Sequence, residues 1–224
     1  MPEPHPAPAP VTLEEPALSP SLETRGLAEA LALALKQRVD PEGFRFVDGS
    51  ASGATGGALS FADCAFQRCS FAEWEPAHVH FTDCLLDHCD LSGLKLDRAS
   101  FHRVRFQSCR LTGLEWQRSS LTDVTLEGCS ADYLMLSQCQ LARVRFKDCR
   151  MRESLWQDVR FRQVSFERCD LCSVQIRNVP MEGLDMTTCS LDGLQIDPRD
   201  LRGMRVTALQ ALQCCAMLGL SVEE

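Results

Sequence analysis

The sequence is short of the features that mark the commonest functional classes. It has no excess of positive charge: 23 lysines and arginines stand against 31 aspartates and glutamates, a formal charge of −8. Direct phosphate binding draws on a net basic surface, so nucleic acid is not expected as a direct partner. Long apolar runs are also missing, and the most apolar stretch, Leu27 to Leu35, is too short to cross a bilayer. No basic region precedes an apolar run at the N-terminus as an export signal would require, and a cytoplasmic protein with reduced thiols is expected. A phosphate loop, a GxSxG elbow, an HExxH pair and a dinucleotide fingerprint are all absent, so no catalytic residue, cofactor or metal is expected. Aromatic residues are sparse at 7%, with a single tyrosine, Tyr133.

What the sequence has in plenty is cysteine, 13 in all, and a period that is neither helical nor strand-like. Apolar side chains fall at every fifth position from Phe61, Phe66 and Phe71 through Leu121 and Leu126 to Leu191, Ile196, Leu201 and Val206, with Pro76 and Ala131 as weak members. Two residues before each is a second, smaller inward position, as at Leu59, Cys64, Cys69, Val79, Cys84 and Cys89; Ser119, Ser154 and Arg199 are its exceptions. Two inward residues separated by one outward residue are locally extended, so the chain must turn a corner every five residues.

A second period counts the corners in one circuit. Cys69, Cys89, Cys109, Cys129, Cys149, Cys169 and Cys189 recur every twenty residues, and stacked equivalents lie one circuit apart. The fold expected is an all-β solenoid, a right-handed quadrilateral parallel β-helix over residues 59–206. Roughly seven turns at about 4.8 Å give a rod about 35 Å long. Glycine two residues after the central one, as at Gly93, Gly113, Gly128, Gly183, Gly193 and Gly203, suits a corner with positive φ. Pro198 cannot adopt that conformation, and an irregular corner is expected there.

The flanks read differently. Residues 1–21, with proline at 2, 4, 6, 8, 10, 16 and 20, read as a disordered tail. Residues 22–40 read as an N-terminal helix, with Ser21 as N-cap and Gly26 weakening its first turn. An irregular lead-in follows over 41–58, in which Phe44 and Phe46 already match the repeat phase. Residues 207–224 read as a C-terminal helix and tail, with Thr207 as N-cap, Leu209, Leu212 and Ala216 along one stripe, and Gly219 as terminator. An open coil exposes unpaired backbone at both ends, so both helices are expected to serve as caps.

Segments such as FADCAFQRCSF, FTDCLLDHCDLSGLKL and LARVRFKDCRM resemble the pentapeptide-repeat family over about two thirds of the chain. Within that family the F-x-x-C-x-F texture and the closing helix are similar to the Qnr, MfpA and albicidin-resistance type. That resemblance implies a DNA-mimicking dimer that binds a type II topoisomerase, DNA gyrase or topoisomerase IV, and protects it from inhibitors. It further implies dimerisation through the C-terminal end, assigned here to Leu209, Leu212, Ala216 and Leu220. Partner contact is assigned to Asp90, Asp132, Asp170 and Asp192, the aspartates that recur on the side carrying the cysteine ladder. One departure stands out: Arg110, Arg150 and Arg152 share that side, and Arg143, Arg145, Lys147, Arg160 and Arg162 help form a basic band. An interaction scaffold with an unrelated partner is the alternative.

Other clusters have plainer readings. Cys64, Cys69, Cys84 and Cys89 match a four-thiolate zinc set in number, but all occupy inward slots and read as small buried hydrophobes. Cys172, Cys214 and Cys215 fall outside those slots and are the exposed-thiol candidates. His78, His80 and His102, near Asp83, are outward and read as solvated side chains. Trp116 and Trp156 read as core, and Tyr133 as an outward contact residue.

Overall fold

The computed structural model describes residues 10–217. Two parallel sheets wind around one core. The larger has the strand order β1 (Glu23–Thr24), β2 (Phe44–Val47), β3 (Ala58–Gln67), β4 (His78–Asp87), β6 (Ser100–Gln107), β8 (Ser120–Glu127), β10 (Gln140–Lys147) and β12 (Arg160–Glu167). The smaller pairs β5 (Lys95–Asp97), β7 (Glu115–Gln117), β9 (Met135–Ser137), β11 (Leu155–Gln157), β13 (Gln175–Arg177) and β14 (Gln195–Ile196) in chain order. From β2 onward every partner lies twenty residues away, as in the run Phe61, Phe81, Phe101, Leu121, Leu141, Phe161. Isolated bridges from Ser50 and Ser70 through Asp90, Arg110, Ser130, Arg150 and Asp170 to Ser190 continue the register on a third side. The long strands of the large sheet each cover two sides, which completes the four-sided right-handed coil.

The core follows the five-residue pattern. All three tryptophans, Trp74, Trp116 and Trp156, are buried, and so are the ten inward cysteines. Each ladder thiol from Cys69 to Cys149 donates to the carbonyl two residues back and to one twenty-three back, as Cys109 does to Gln107 (3.4 Å) and Leu86 (3.3 Å). Ser119 makes the same two bonds, which explains how a hydroxyl occupies that slot. Burial pushes the Cys84 and Cys139 thiols up, so neither is a ready thiolate.

The corners depart from the glycine expectation. Positive φ recurs at nearly every corner, but most corner residues are not glycine: Asp63, Arg68, Asp83, Arg103, Asp123, Arg143, Asp148 and Arg168 among them, with φ of 51° to 56°. An isolated L-residue resists this conformation by about 1–2 kcal/mol, which ladder bonds on both flanks of each corner offset. Thr188 and Pro198 do not take positive φ. The irregular corner expected at Pro198 is present: residues 198–203 form consecutive turns, and Gly183 N donates twenty residues on, to Gly203 O, where its equivalent Gly43, in the same slot of an early coil, reaches nineteen, to Ala62 O.

Both ends are closed, in ways that differ from the expectation. The N-terminal helix is α1 (Leu27–Gln37), shorter than 22–40, with Gly26 rather than Ser21 at the N-cap. Leu27, Ala30, Leu31 and Ala34 join the core, and α1 packs closely on the glycine-rich lead-in. A Cβ at Gly49 would stand 2.7 Å from Leu27 Cβ, so glycine at that position admits the helix. The lead-in is itself coiled: β2 pairs with β3, and β1 covers its other edge.

At the other end α2 (Ala208–Met217) starts as expected at Thr207, which accepts a bond from Gln210 N while Gln210 Oε1 accepts from Thr207 N. Gln210 is the capping residue: its buried Nε2 donates to Met186 O (2.8 Å) and Cys189 O (2.7 Å), carbonyls that no further coil reaches. Neither helix is long and apolar enough to cross a membrane among the described residues.

Candidate interaction surfaces

The four aspartates assigned to partner contact do lie on one side, but they are not free. Asp90 is 3.6 Å from Arg110. Asp132 accepts from Arg150 Nε at 2.7 Å and from the Arg152 backbone, and Asp170 accepts from Arg152 Nε at 2.5 Å. For Asp170, burial opposes ionisation, and hydrogen bonds from Cys172 and Arg152 outweigh it to hold the carboxyl below its ordinary value. Asp192 is exposed and accepts from Gln213. The sequence arranges acids along this side and then neutralises three of the four.

The same cross-coil pairing recurs at corners, from residue n to n+20: Asp48 with Arg68, Asp83 with Arg103, Asp123 with Arg143 and Asp148 with Arg168, the first contact of each being 2.7 Å. The guanidiniums of Arg103 and Arg143 hold the Asp83 and Asp123 carboxyls below the usual carboxylate range.

The apolar stripe of α2 faces outward. Leu209 is 69% exposed and Leu212 48% exposed, because Gln210, between them on the helix, is the residue turned to the coil. Neither leucine caps the coil end, which corrects that part of the assignment. The side chain of Ala216, and Gly219 and Leu220, lie outside the described residues.

A surface absent from the sequence expectation lies over the large sheet. Residues 10–21, read as a disordered tail, are instead extended along it, running from the late coils back to the first. Val11 O accepts from Arg145 Nη2 (2.8 Å), Glu14 N donates to Asp123 (3.2 Å), Ala17 N to Asp83 (3.0 Å), and Ser19 N to Asp63 (2.7 Å). Val11, Leu13, Pro16 and Leu18 are half-buried, whereas Thr12, Glu14, Glu15, Ala17 and Ser19 are exposed. Asp123 and Thr125 are buried on this face. Glu14 and Glu15 each lie 3.8 Å from an arginine, Arg103 and Arg105 respectively. A cavity of about 260 Å³ at the far end is lined by Pro10, Val11, Phe161, Val164, Pro180 and Leu184, among others. Residues 1–9 lie outside the described residues.

The histidines do not gather as a group on this face. His102 alone joins a cluster, with Glu14 and Asp123, whose ligand atoms lie within 4.8 Å of one another. Arg143 already holds both Asp123 oxygens, and Arg103 Nη1 is 3.1 Å from His102 Nε2, so two guanidiniums crowd the position a dication would need. Tyr133 is exposed, as expected of an outward corner, and its hydroxyl donates to Glu153.

Comparison with known proteins agrees with this architecture. The family model described as the pentapeptide repeat region matches residues 59–134 and, overlapping, 99–176. No curated protein matches. Similar solved structures include QnrB1, a plasmid-mediated fluoroquinolone resistance protein, at 16% identity, covering 82% of this chain and 89% of that one with a TM-score of 0.37. HetL, a pentapeptide repeat protein involved in heterocyst differentiation regulation from the cyanobacterium Nostoc sp. strain PCC 7120, is 10% identical, covering 81% and 94% with a TM-score of 0.36. Values this low say nothing of what this chain binds.

Proposed function

Because the chain belongs to the pentapeptide-repeat family, we propose that it is a non-enzymatic, cytoplasmic protein-binding rod, with a type II topoisomerase as the partner and protection of that enzyme from inhibitors as the activity. The observation that carries the rod is the unbroken twenty-residue register, which fills the interior with side chains and leaves only surface for contact. Ten buried free thiols suit a reducing compartment. Support for dimerisation comes from Leu209 and Leu212, two exposed leucines on the outer face of the terminal helix. Acidic character is concentrated near that end, at Glu182, Asp192 and Asp197, all exposed, and a dimer would carry it to the middle of a doubled rod.

One observation favours the second reading, a scaffold with an unrelated partner: Asp90, Asp132 and Asp170 each have arginine partners, so that side offers no continuous run of unpaired charge. A supercoiling assay with gyrase, and a decatenation assay with topoisomerase IV, separate the two. The purified protein is expected to alter supercoiling or relieve inhibitor poisoning at low salt, where surface charge is least screened. The double variant Asp192→Lys, Asp197→Lys is expected to need about tenfold more protein, equivalent to ~1.4 kcal/mol of binding. No binding and no effect on either enzyme leaves the scaffold reading.

A further inference from the structure

Residues 10–21 lie on the large sheet without joining it. No strand of the ladder includes them; their three backbone donors go to side-chain carboxylates of Asp63, Asp83 and Asp123, all in the same corner slot of their coils. The spacing has a geometric cause. From Glu14 to Ala17 is three residues, and from Asp123 to Asp83 is two coils. Three residues of polyproline-like chain rise about 9.3 Å, and two strand spacings are about 9.6 Å, so this interval matches; the next, from Ala17 to Ser19, spends two residues (about 6.2 Å) on the one coil (about 4.8 Å) between Asp83 and Asp63. Val11 O, three residues before Glu14, accepts from Arg145, one coil beyond Asp123. Pro10, Pro16 and Pro20 all avoid the donating positions 14, 17 and 19, as residues without an N–H must.

Charge completes the match. Glu14 and Glu15 approach Arg103 and Arg105, but remain 69% and 58% exposed, and such solvent-screened pairs hold weakly. Beside the start of the segment, Arg160 and Arg162 on β12 are exposed and take part in no ion pair among the described residues. The track is therefore lined by carboxylates in one corner slot, positively edged and only lightly held by its own chain.

We infer that the large sheet is a recognition track for an extended, acidic, proline-containing segment of a partner protein, and that residues 10–21 occupy it in cis until such a segment displaces them. The matching segment has N–H groups in the phase of Glu14 and Ala17, prolines between them, apolar residues in the places of Val11, Leu13 and Leu18, and further acids able to reach Arg160 and Arg162. A tethered occupant acts at an effective concentration in the millimolar range, so a free peptide competes poorly until the tether's own contacts are weakened. The track is independent of the topoisomerase reading.

The test uses the full chain and, as probe, a fluorescent peptide of residues 10–21 followed by anisotropy. A full-length variant with Glu14→Lys and Glu15→Lys is expected to bind the peptide at least about tenfold tighter than the unaltered protein, by release of the cis segment. Full-length Ala17→Pro, which deletes a donor, opens the track by a second route. Thermal melts within a few degrees of the parent confirm that both variants keep the coil. Peptides with proline at position 14 or 17 are expected to lose binding. Arg105→Glu on the Ala17→Pro background is expected to weaken it, with recovery when the peptide carries Glu15→Lys. Equal binding to the parent and both opened variants, or none to any of them, overturns the inference. So does indifference to proline position, or displacement of the peptide by an oligonucleotide as readily as by the unlabelled peptide, because each would mark a general polyanion surface.

Discussion

Phe81→Ala is expected to destabilise the protein by about 3–5 kcal/mol, read as a drop in the midpoint of denaturant unfolding. Phe81 is 1% exposed and lies between Phe61 and Phe101, with ring centroids 5.1 Å and 5.3 Å away and planes tilted by only 14° and 6°. Its removal opens a void that a one-dimensional stack cannot close, because each coil touches only the coil above and below. Phe161→Ala, in the same slot of a late coil but half-buried beneath Pro10 and Val11, is expected to cost less than half as much. Equal losses at the two positions would mean that burial between stacked rings does not set the cost.

Gln210→Glu is expected to be the most damaging single change outside the coil, at about 3 kcal/mol or more. The native amide donates to Met186 O and Cys189 O at the last coil; a carboxylate turns an acceptor toward two carbonyls and buries a charge with no countercharge, the Thr207 N–H being its one retained donor. Gln210→Ala removes the side-chain donor from Cys189 O, while Met186 O keeps its bond from Cys189 N, and is expected to cost about 1–3 kcal/mol. Burial raises the carboxyl pKa of the glutamate variant. Its folded state therefore binds a proton more readily than its unfolded state, and its stability recovers as pH falls through that raised value. Thermal melts of the two variants between pH 4 and pH 8 check this: the glutamate deficit should narrow at acid pH and the alanine deficit should not.

The coil was legible because its period is written twice, in apolar residues every five positions and in cysteines every twenty. The cap at Thr207, the core tryptophans and the disturbance at Pro198 followed from local chemistry. The corners were less legible, since glycine marks only some of them and the flanking ladder imposes positive φ on aspartate and arginine alike. The neutralised aspartates did have a signal, opposite charges twenty residues apart at Asp48 and Arg68, Asp83 and Arg103, Asp123 and Arg143, which becomes readable once the coil length is known. The docked segment at residues 10–21 was hidden by composition. Its prolines and glutamates suggest disorder, yet Val11, Leu13, Pro16 and Leu18 give it an apolar face that only a preformed sheet can use. Gln210 had no signal of its own, because a polar residue inside an apolar stripe reads as the stripe's wet edge until the coil end is placed against it.

The most direct test of the coil is cysteine accessibility mapped residue by residue. Ten thiols, from Cys64 through Cys84, Cys109, Cys129 and Cys149 to Cys189, sample the interior along nearly the whole rod, while Cys172, Cys214 and Cys215 are half-buried outside it. In a native-state alkylation time course followed by peptide mass spectrometry, those three are expected to react first and the ten to resist until denaturant unfolds the chain. Prompt labelling of Cys109, Cys129 and Cys149 in the native state would contradict the account, because no four-sided coil of this register leaves them open to solvent.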